Sequence, residues 1–360
     1  MIKELRTTEL TASAHSLSKV RASEKHPVPS DASYFDYGRP GLIYNLRLPK
    51  ALRFLDSDYC AGGRQAMLDG EARSQIDRWF PFLFLHVFAG LALFYRPSLT
   101  AIGVMVGLYF VRMFAITAFY HRYFSHRTFK TSRLCQFLFA FWGGLSVQRG
   151  ALWWASHHRN HHRNSDTELD IHSPVKRGFI WSHIGWITAE CNMPTRYEVI
   201  SDLVKFPELV FLNRFDWLPP ICLAALLYFT GCMLDIYCPI AGTSGVELLL
   251  WGFFVSTVVL FHGVCSINSL SHIWGGKRYE TGDESRNNFF LALLTLGEGW
   301  HNNHHRFPGS VKQGFFKGEI DITYGILKMM QWCHLVSDFR PVPQEAYDQE
   351  QFINKDLSRG

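Results

Sequence analysis

The sequence contains no C-x-x-C pair, although it has eight cysteines. This absence excludes a zinc ribbon, a rubredoxin-like iron site and a dithiol redox pair. A ferredoxin-type cysteine set, a flavin motif and a haem-binding domain are absent too. We therefore expect the cysteines to be free thiols in a reducing compartment.

The first 78 residues contain no long apolar run. They lack the apolar core and small-residue cleavage site of a signal peptide, so we expect a cytoplasmic tail and cap whose first twenty residues are disordered. Internal repeats and nucleic-acid-binding patterns are also absent. The net charge of +5 is instead typical of basic residues placed beside anionic lipid headgroups.

Long apolar runs are abundant. Hydrophobic residues make up 48% of the chain, and four runs approach the roughly 20 residues that cross a bilayer: 79–96, 99–120, 217–240 and 247–267. Short loops join them in pairs, and Lys and Arg lie mainly outside these loops, which places both termini in the cytoplasm. The prediction is an all-α, multi-pass integral membrane protein with two helical hairpins and a cytoplasmic helical cap.

A fifth apolar stretch, 134–154, contains Gln148, Arg149, Gly143 and Gly144, and we interpret it as one interfacial helix. If it crossed the membrane, the histidines before and after it would lie on opposite sides. The predicted organisation is a tail and cap segment at 1–78, a membrane domain at 79–335 and a C-terminal tail at 336–360.

One charge lies inside a predicted span. Arg112 falls in the second run, where a charge is unfavourable and usually faces protein or water. Asp235 and Glu247 are candidate partners if the helix tilts strongly, and extension of the side chain towards either surface is the alternative.

Most of the 17 histidines lie in four short stretches at the predicted cytoplasmic ends of the apolar runs. The stretches are His121-Arg-Tyr-Phe-Ser-His126, His157-His158-Arg-Asn-His161-His162, Asn268-Ser-Leu-Ser-His272 and His301-Asn-Asn-His304-His305. Residues at i, i+3 and i+4 share a helical face, whereas His121 and His126 are five apart and require the helix to end or distort between them. The isolated His86, His183 and His262 are interpreted as hydrogen-bonded core or interfacial residues.

The number of clustered histidines indicates two metal ions, because one catalytic ion uses about three protein ligands. Imidazole suits zinc, copper, iron and nickel alike, so the ligands alone do not select the metal.

These boxes, H-x4-H, H-x2-HH, N-x3-H and H-x2-HH, resemble those of the membrane fatty-acid desaturases, specifically the stearoyl-CoA (delta-9) branch. The resemblance also includes Gly178-Phe179, Ser182-His183-Ile184-Gly185-Trp186 and Gly297-Glu298-Gly299-Trp300, and it covers roughly residues 79–330. In that family nine histidines bind two iron ions, and an asparagine holds a metal-bound water. The matching residues here are His121, His126, His158, His161, His162, His272, His301, His304, His305 and Asn268.

The resemblance implies a di-iron (Fe²⁺) centre that uses O2 to place a cis double bond in a fatty acyl chain. A separate electron donor is then required, such as cytochrome b5 or a ferredoxin with its reductase. His157 is extra to the box, and we interpret it as lying behind the ligands or facing the substrate headgroup. Asp170 and Glu298 are candidates to orient ligand imidazoles.

The substrate residues are less fully matched. Gln148 and Trp154 match family residues that bend the acyl tunnel, but Val264 replaces the threonine that completes the group. Tyr109 and Met113, four apart on one helical face, are candidate stops for the methyl end of the acyl chain or simple packing residues.

The residues expected to bind the acyl carrier are also changed. Ser156-His157 replaces the family's Arg-Asp before the second histidine box, and Ala189-Glu190 replaces the basic pair expected after Trp186. The remaining phosphate-facing candidates are Lys176 and Arg177. Acyl-CoA is the first choice of carrier and acyl-phospholipid the alternative.

Three other functions are considered. A membrane di-iron hydroxylase of alkanes or fatty acids uses similar boxes, but Asn268 and the sequence around His121 favour desaturation. Modification of a sterol or carotenoid ranks lower. A non-catalytic metal transporter is the most remote, because the histidines stand beyond helix ends on one side rather than along a path through the bilayer.

Overall fold

The computed structural model describes residues 30–348; the first twenty residues, predicted to be disordered, and the end of the predicted C-terminal tail, 349–360, lie outside this range. The described chain is mostly helical. Its longer helices are α1 (Ile76–Phe94), α2 (Leu99–Ser125), α3 (Arg133–Gly144), α4 (Ala151–Asn164), α5 (Pro207–Arg214), α6 (Leu218–Tyr237), α7 (Gly245–His272), α8 (His301–Arg306) and α9 (Ile322–Trp332).

Short elements connect these helices. Short α-helices are Leu42–Asn45, Arg64–Leu68, Pro174–Arg177, Phe179–His183, Ser201–Val204 and Phe289–Leu294, and 3-10 turns are Ser30–Ser33, Lys50–Leu55, Gly185–Thr188, Glu190–Asn192, Tyr197–Ile200 and Pro239–Ala241. A two-residue antiparallel ladder pairs β1 (Lys130–Thr131) with β2 (Val336–Ser337). The eight cysteines, all within the described residues, are free, as predicted.

Helices α1, α2, α6 and α7 are each long and apolar enough to cross a membrane. The loops within the two pairs lie at the same end, since the Ser98 amide donates to the Glu247 carboxylate. At this end the Thr100 hydroxyl also donates to the Ala241 carbonyl at 2.6 Å. This arrangement confirms the predicted all-α membrane fold with four apolar helices in two hairpins.

The outer helices expose apolar side chains along their length. Phe84 and Val87 on α1, and Phe229 and Ile236 on α6, are all exposed. Such side chains are expected on a helix surface that lipid covers. The inner helices α2 and α7 bury more of their residues and carry the chain into the histidine-rich end.

Arg112 on α2 is fully buried and its contacts replace the predicted ones. Its guanidinium donates to the hydroxyls of Thr257 and Ser256 on α7, each at 2.7 Å. It also donates to the carbonyls of Leu108 and Leu145 at 3.2 Å. Thus neither Asp235 nor Glu247 pairs with Arg112, and hydroxyls and carbonyls satisfy its charge instead. Leu145, whose carbonyl is one of these acceptors, follows the last residue of α3. The helix dipole favours a cation at such a C-terminal end.

Helix α2 changes its winding before its end. Residues Ala115–Ser125 form a π-helix, and the His126 amide donates to the His121 carbonyl at 3.3 Å, five residues back. Five-residue hydrogen bonding of this kind places residues five apart on one face. It is the distortion that the spacing of His121 and His126 requires.

The single interfacial helix predicted over 134–154 is instead two helices, α3 and α4. Between them, Val147 and Arg149 have positive φ angles of 58° and 64°, which interrupt helical winding. Asn213 supplies the reason for the restart, because its side-chain oxygen accepts the Trp153 amide at 2.8 Å and caps the first turn of α4. Arg149 is held by Asp216 at 2.8 Å.

Candidate metal centre

Nine histidines converge at the end of α2 and α7 that lies away from the hairpin loops. They form two groups, and within each group the ring nitrogens that could hold an ion all lie within 4.8 Å of one another. The five-histidine group consists of His121, His126, His158, His162 and His304, and the four-histidine group consists of His161, His272, His301 and His305. These are the nine histidines predicted from the sequence.

Helices α4 and α8 each serve both groups. On α4, His158 and His162 enter the five-histidine group while His161 enters the other. On α8 the division is reversed, with His301 and His305 in the four-histidine group. Residues four apart on a helix face one direction, and the residue between them is rotated away. Each of these two helices thus contributes to both groups, and the ends of α2 and α7 supply the remaining histidines, His121, His126 and His272.

Arg159 locks α4 against the end of α2. Its guanidinium donates to the carbonyls of Ser125 and Phe124, both at 2.8 Å, and it pairs with Asp202 at 2.6 Å. Carbonyls at a helix end lack partners within the helix, so this contact fixes the segment that carries His126.

The Nε2 atoms of the histidines meet at hydrogen-bonding distance. The contacts are His126 with His158 at 2.8 Å, His121 with His304 at 2.9 Å, His162 with His304 at 2.9 Å and His272 with His301 at 3.2 Å. A neutral imidazole has one donor and one acceptor nitrogen. Where the acceptor nitrogens face one another, a cation between them is favourable.

Carboxylates hold the opposite nitrogen, Nδ1, of four of these rings. The pairs are His121 with Glu298, His161 with Asp170 at 3.0 Å, His272 with Asp166 at 2.8 Å and His305 with Asp283 at 2.6 Å. A carboxylate accepts the Nδ1 proton and leaves the Nε2 lone pair directed inward, which is the usual arrangement of metal-binding histidines.

Burial keeps most of the rings neutral. Burial disfavours the charged form and neighbouring histidines repel it, so the pKa lies well below the ordinary value for His126, His158, His162, His301 and His304. Burial likewise lowers the pKa of His305 to about 4. At His161 burial acts in the same direction, but the Asp170 carboxylate outweighs it and raises the pKa.

The donor set therefore fits divalent transition metals. Nine buried or half-buried imidazoles whose ring nitrogens converge offer nitrogen ligands of the kind that bind iron, zinc, copper and nickel. The carboxylates lie behind the rings, where they orient them. Hard oxygen-preferring ions such as Mg²⁺ would find no inward carboxylate in either histidine group.

A small cavity lies against both groups. Its lining includes Met113, Ile116, Thr117, Trp154, Val264, Ile267, Asn268 and Thr295, together with histidines of both groups. Beyond it, Tyr109 and Met113 converge on Gly263, where a methyl group would lie 2.9 Å and 3.1 Å from them. The Tyr109 hydroxyl donates to the Leu294 carbonyl at 2.8 Å, which ties α2 to the short helix Phe289–Leu294.

Four predicted substrate or supporting residues lie elsewhere. Gln148 occupies the break between α3 and α4 and does not line the cavity. Lys176 pairs with Glu168 at 3.2 Å and Arg177 donates to the Ala72 carbonyl at 3.0 Å. His157 is buried but belongs to neither group; its ring packs on two tryptophans, with centroids 4.6 Å from Trp153 and 6.2 Å from Trp186.

Sequence reasoning identified Asp170 and Glu298 but missed Asp166, Asp283 and Arg122. Arg122 donates to Glu298 at 2.9 Å and to Asp321 at 3.0 Å. Asp166 follows His162 by only four residues, a signal that was available. Asp283 lies in a loop eleven residues after His272, and no local spacing rule connects the two.

Comparison with known proteins agrees with this geometry. Residues 97–348 match the family model for fatty acid desaturases. An acyl-CoA 5-desaturase of Anemone leveillei is 38% identical over 69% of this chain and 74% of its own length. An sn-2 palmitoyl-lipid 9-desaturase of Nostoc sp. (strain 36) is 34% identical over 75% and 92%, and a delta-9 acyl-lipid desaturase of Arabidopsis thaliana is 34% identical over 76% and 86%. The chain belongs to the fatty acid desaturase family.

Proposed function

We propose that the nine histidines hold two iron ions and that the protein uses O2 to introduce a cis double bond at the delta-9 position of a fatty acyl-CoA. One observation carries this proposal: histidines of both groups border a small cavity whose wall is mostly apolar, through residues such as Met113, Trp154 and Val264. Its other polar residues are Thr117, Asn268, Thr295 and Glu298. An alkyl chain has no functional group to mark a position, so the cavity wall must set the register of the acyl chain beside the histidines.

The residues of this protein bind the metal ions, orient the acyl chain and exclude water. When bound, iron supplies the capacity to reduce O2 with external electrons; removal of two hydrogens from the chain with two electrons and two protons yields two waters. The carboxylates fix the tautomers of the rings. Trp154 stacks on His158 with centroids 4.8 Å apart and, with Val264 and Met113, places apolar surface beside the histidines.

The acyl carrier and the electron donor must bind the protein outside the cavity. Lys176 and Arg177 are exposed and already have protein partners, so they offer charge to a phosphate only by changing those contacts. An acyl-phospholipid is therefore the alternative carrier, and among the relatives both acyl-CoA and acyl-lipid desaturases occur. We propose that the histidine end and both termini face the cytoplasm, where cytochrome b5 or a ferredoxin delivers electrons.

The test is expression in a desaturase-deficient host with an aerobic electron-transfer chain, followed by mass spectrometry of fatty acids. We expect a new monounsaturated acid with its double bond at carbon 9, absent with His161→Ala and retained with His86→Gln. Hydroxy acids or alcohols would identify a hydroxylase instead. Incubation of the purified protein in air, with a reduced electron donor (cytochrome b5 or a ferredoxin with its reductase) and either stearoyl-CoA or stearoyl-phosphatidylcholine, then separates the two carriers.

A further inference from the structure

The carboxylates behind the histidines are distributed unequally between the two groups. In the four-histidine group, three of the four rings have an aspartate at Nδ1. In the five-histidine group, only His121 has a carboxylate partner, Glu298, among the described residues. The two metal positions therefore differ in surrounding charge as well as in number of ligands.

An arginine neutralises part of the negative charge behind the five-histidine group, which increases the difference between the two groups. Glu298 shares its carboxylate with Arg122, which also pairs with Asp321, so these three residues together carry one negative charge. Within residues 30–348 the ion pairs of Asp166, Asp170 and Asp283 are with histidines only.

Neutral donors also hydrogen-bond the three aspartates, and Asp170 accepts from the Asp166 amide at 2.9 Å. Asp283 accepts from the Thr281 hydroxyl at 2.6 Å and from the Ser285 hydroxyl at 2.5 Å. Asp166 accepts from the Ser173 hydroxyl at 2.6 Å and from the Glu284 amide at 2.8 Å. These bonds hold the carboxylates in place without adding a positive charge.

We propose that the two metal positions are electrostatically unequal, and that Asp166, Asp170 and Asp283 are positioning residues that make the four-histidine group retain its ion longer and favour its ferric state. This inference rests on the proposed function only in taking both groups as iron positions. Nearby negative charge stabilises the more highly charged state of an ion, and the effect is strong in a buried site.

The wild-type protein tests the inequality directly. Protein loaded anaerobically with Fe²⁺ is mixed with excess ferrous chelator, and iron remaining per chain is followed with time. We expect two phases of equal size that differ about tenfold or more in rate, the range in which partners behind metal ligands usually act. A single phase that removes both ions would overturn the proposal.

Matched substitutions assign the phases. Asp283→Asn keeps an oxygen for the His305 Nδ1 proton and removes one charge, so it should accelerate the slow phase about tenfold. Glu298→Gln makes the same chemical change behind His121 and should act on the fast phase. The assignment is wrong if both variants accelerate the same phase.

Site-selective labelling tests the redox part in the wild-type protein. The fast position is emptied and refilled with unlabelled iron, leaving ⁵⁷Fe in the slow position. Ferricyanide, a one-electron oxidant, is then added at one equivalent per two irons, so that one ferrous ion per chain loses one electron. A Mössbauer spectrum that is mostly ferric supports the proposal, and a mostly ferrous one contradicts it.

These results are distinguishable from failure of the proposed function. Unequal release of two irons from a protein that makes no unsaturated product would support the inference and overturn the desaturation proposal. Equal release from a protein that does make the product would overturn the inference alone. Fewer than two irons per chain would overturn both.

Discussion

The nine histidines of the metal centre and the three histidines His86, His183 and His262 both form networks of contacting rings. In the second network, which we name the three-histidine chain, His262 contacts His86 through the Nε2 atoms and His183 through its Nδ1, both at 3.0 Å. The chain ends at the Ser269 hydroxyl, 2.9 Å from His183. The prediction that these three are hydrogen-bonded residues is confirmed.

The two networks differ in how the nitrogens are used. The His86 Nδ1 donates to the Phe82 carbonyl at 2.8 Å, so the His86 Nε2 accepts from His262, and the His262 Nδ1 accepts from His183. Each contact between two rings therefore pairs a donor with an acceptor. Ion pairs with carboxylates are absent from these three rings in the described residues, and their nitrogens do not converge on one point. A cluster of histidines therefore indicates a metal site only where lone pairs converge and the opposite nitrogens are anchored.

The largest difference is expected in activity. His304 contacts both His121 and His162 through Nε2, so His304→Ala should abolish product formation and lower bound iron from two to one or none per chain. His262→Gln, in the three-histidine chain, should retain both. Fatty-acid profiles and iron content of the purified proteins are measured together. Retained product in His304→Ala would remove His304 from the ligand set.

The second expectation concerns pH and the metal-free protein. Six ligand histidines have pKa values lowered by burial, so below about pH 6.5 the unfolded chain binds more protons than the folded one. Stability should therefore fall as the pH falls from about 6.5 towards 4, by up to about 1.4 kcal/mol per pH unit for each histidine.

Thermal unfolding in detergent at several pH values, with and without iron, measures this effect. Iron should raise the unfolding temperature at pH 7.5, and its benefit should shrink in acid because protons compete for the ligands. His334→Gln removes an exposed histidine outside both networks and should leave the slope nearly unchanged. A metal-free protein whose stability is constant between pH 7 and 5 would contradict the expectation.

The third expectation concerns Arg122, a buried cation behind the five-histidine group that has no counterpart beside the three-histidine chain in the described residues. Arg122 is fully buried between Glu298 and Asp321, and Arg122→Gln leaves two buried carboxylates without a full charge partner. Removing one member of a buried ion pair typically destabilises a protein by about 3–5 kcal/mol. The matched control is Arg133→Gln, which breaks the exposed pair with Glu208 and should change the unfolding temperature little; equal effects would refute the role of burial.

The sequence was sufficient for the features that depend on local spacing. Run lengths predicted four apolar helices, and the spacing of His121 and His126 required a distorted helix, which is the π-helix found. Local spacing could not divide the histidines of α4 and α8 between the two groups. Residues at i, i+3 and i+4 share one broad helical face, and that face contacts both groups.

Other features depend on contacts between distant segments. The break between α3 and α4 lies in a continuous apolar stretch, and the contact that caps the restarted helix comes from Asn213, some 60 residues later. Arg112 could not be assigned because its partners are two hydroxyls of α7. Asp283 reaches His305 only through the folding of its loop, so no spacing pattern could reveal it.

The smallest expected effect lies in the three-histidine chain. His262→Gln keeps one donor and one acceptor but places them on a flexible side chain, so the hydrogen bonds to His86 and His183 are weakened by the equivalent of about one bond. A hydrogen bond of this kind contributes about 1 kcal/mol, and the unfolding temperature in detergent should fall by a few degrees with both irons retained. His262→Ala should lower it further, because both contacts and the ring packing are lost. If His262→Gln released iron as readily as His304→Ala does, the three-histidine chain would be part of the metal centre and the distinction drawn from converging lone pairs would be wrong.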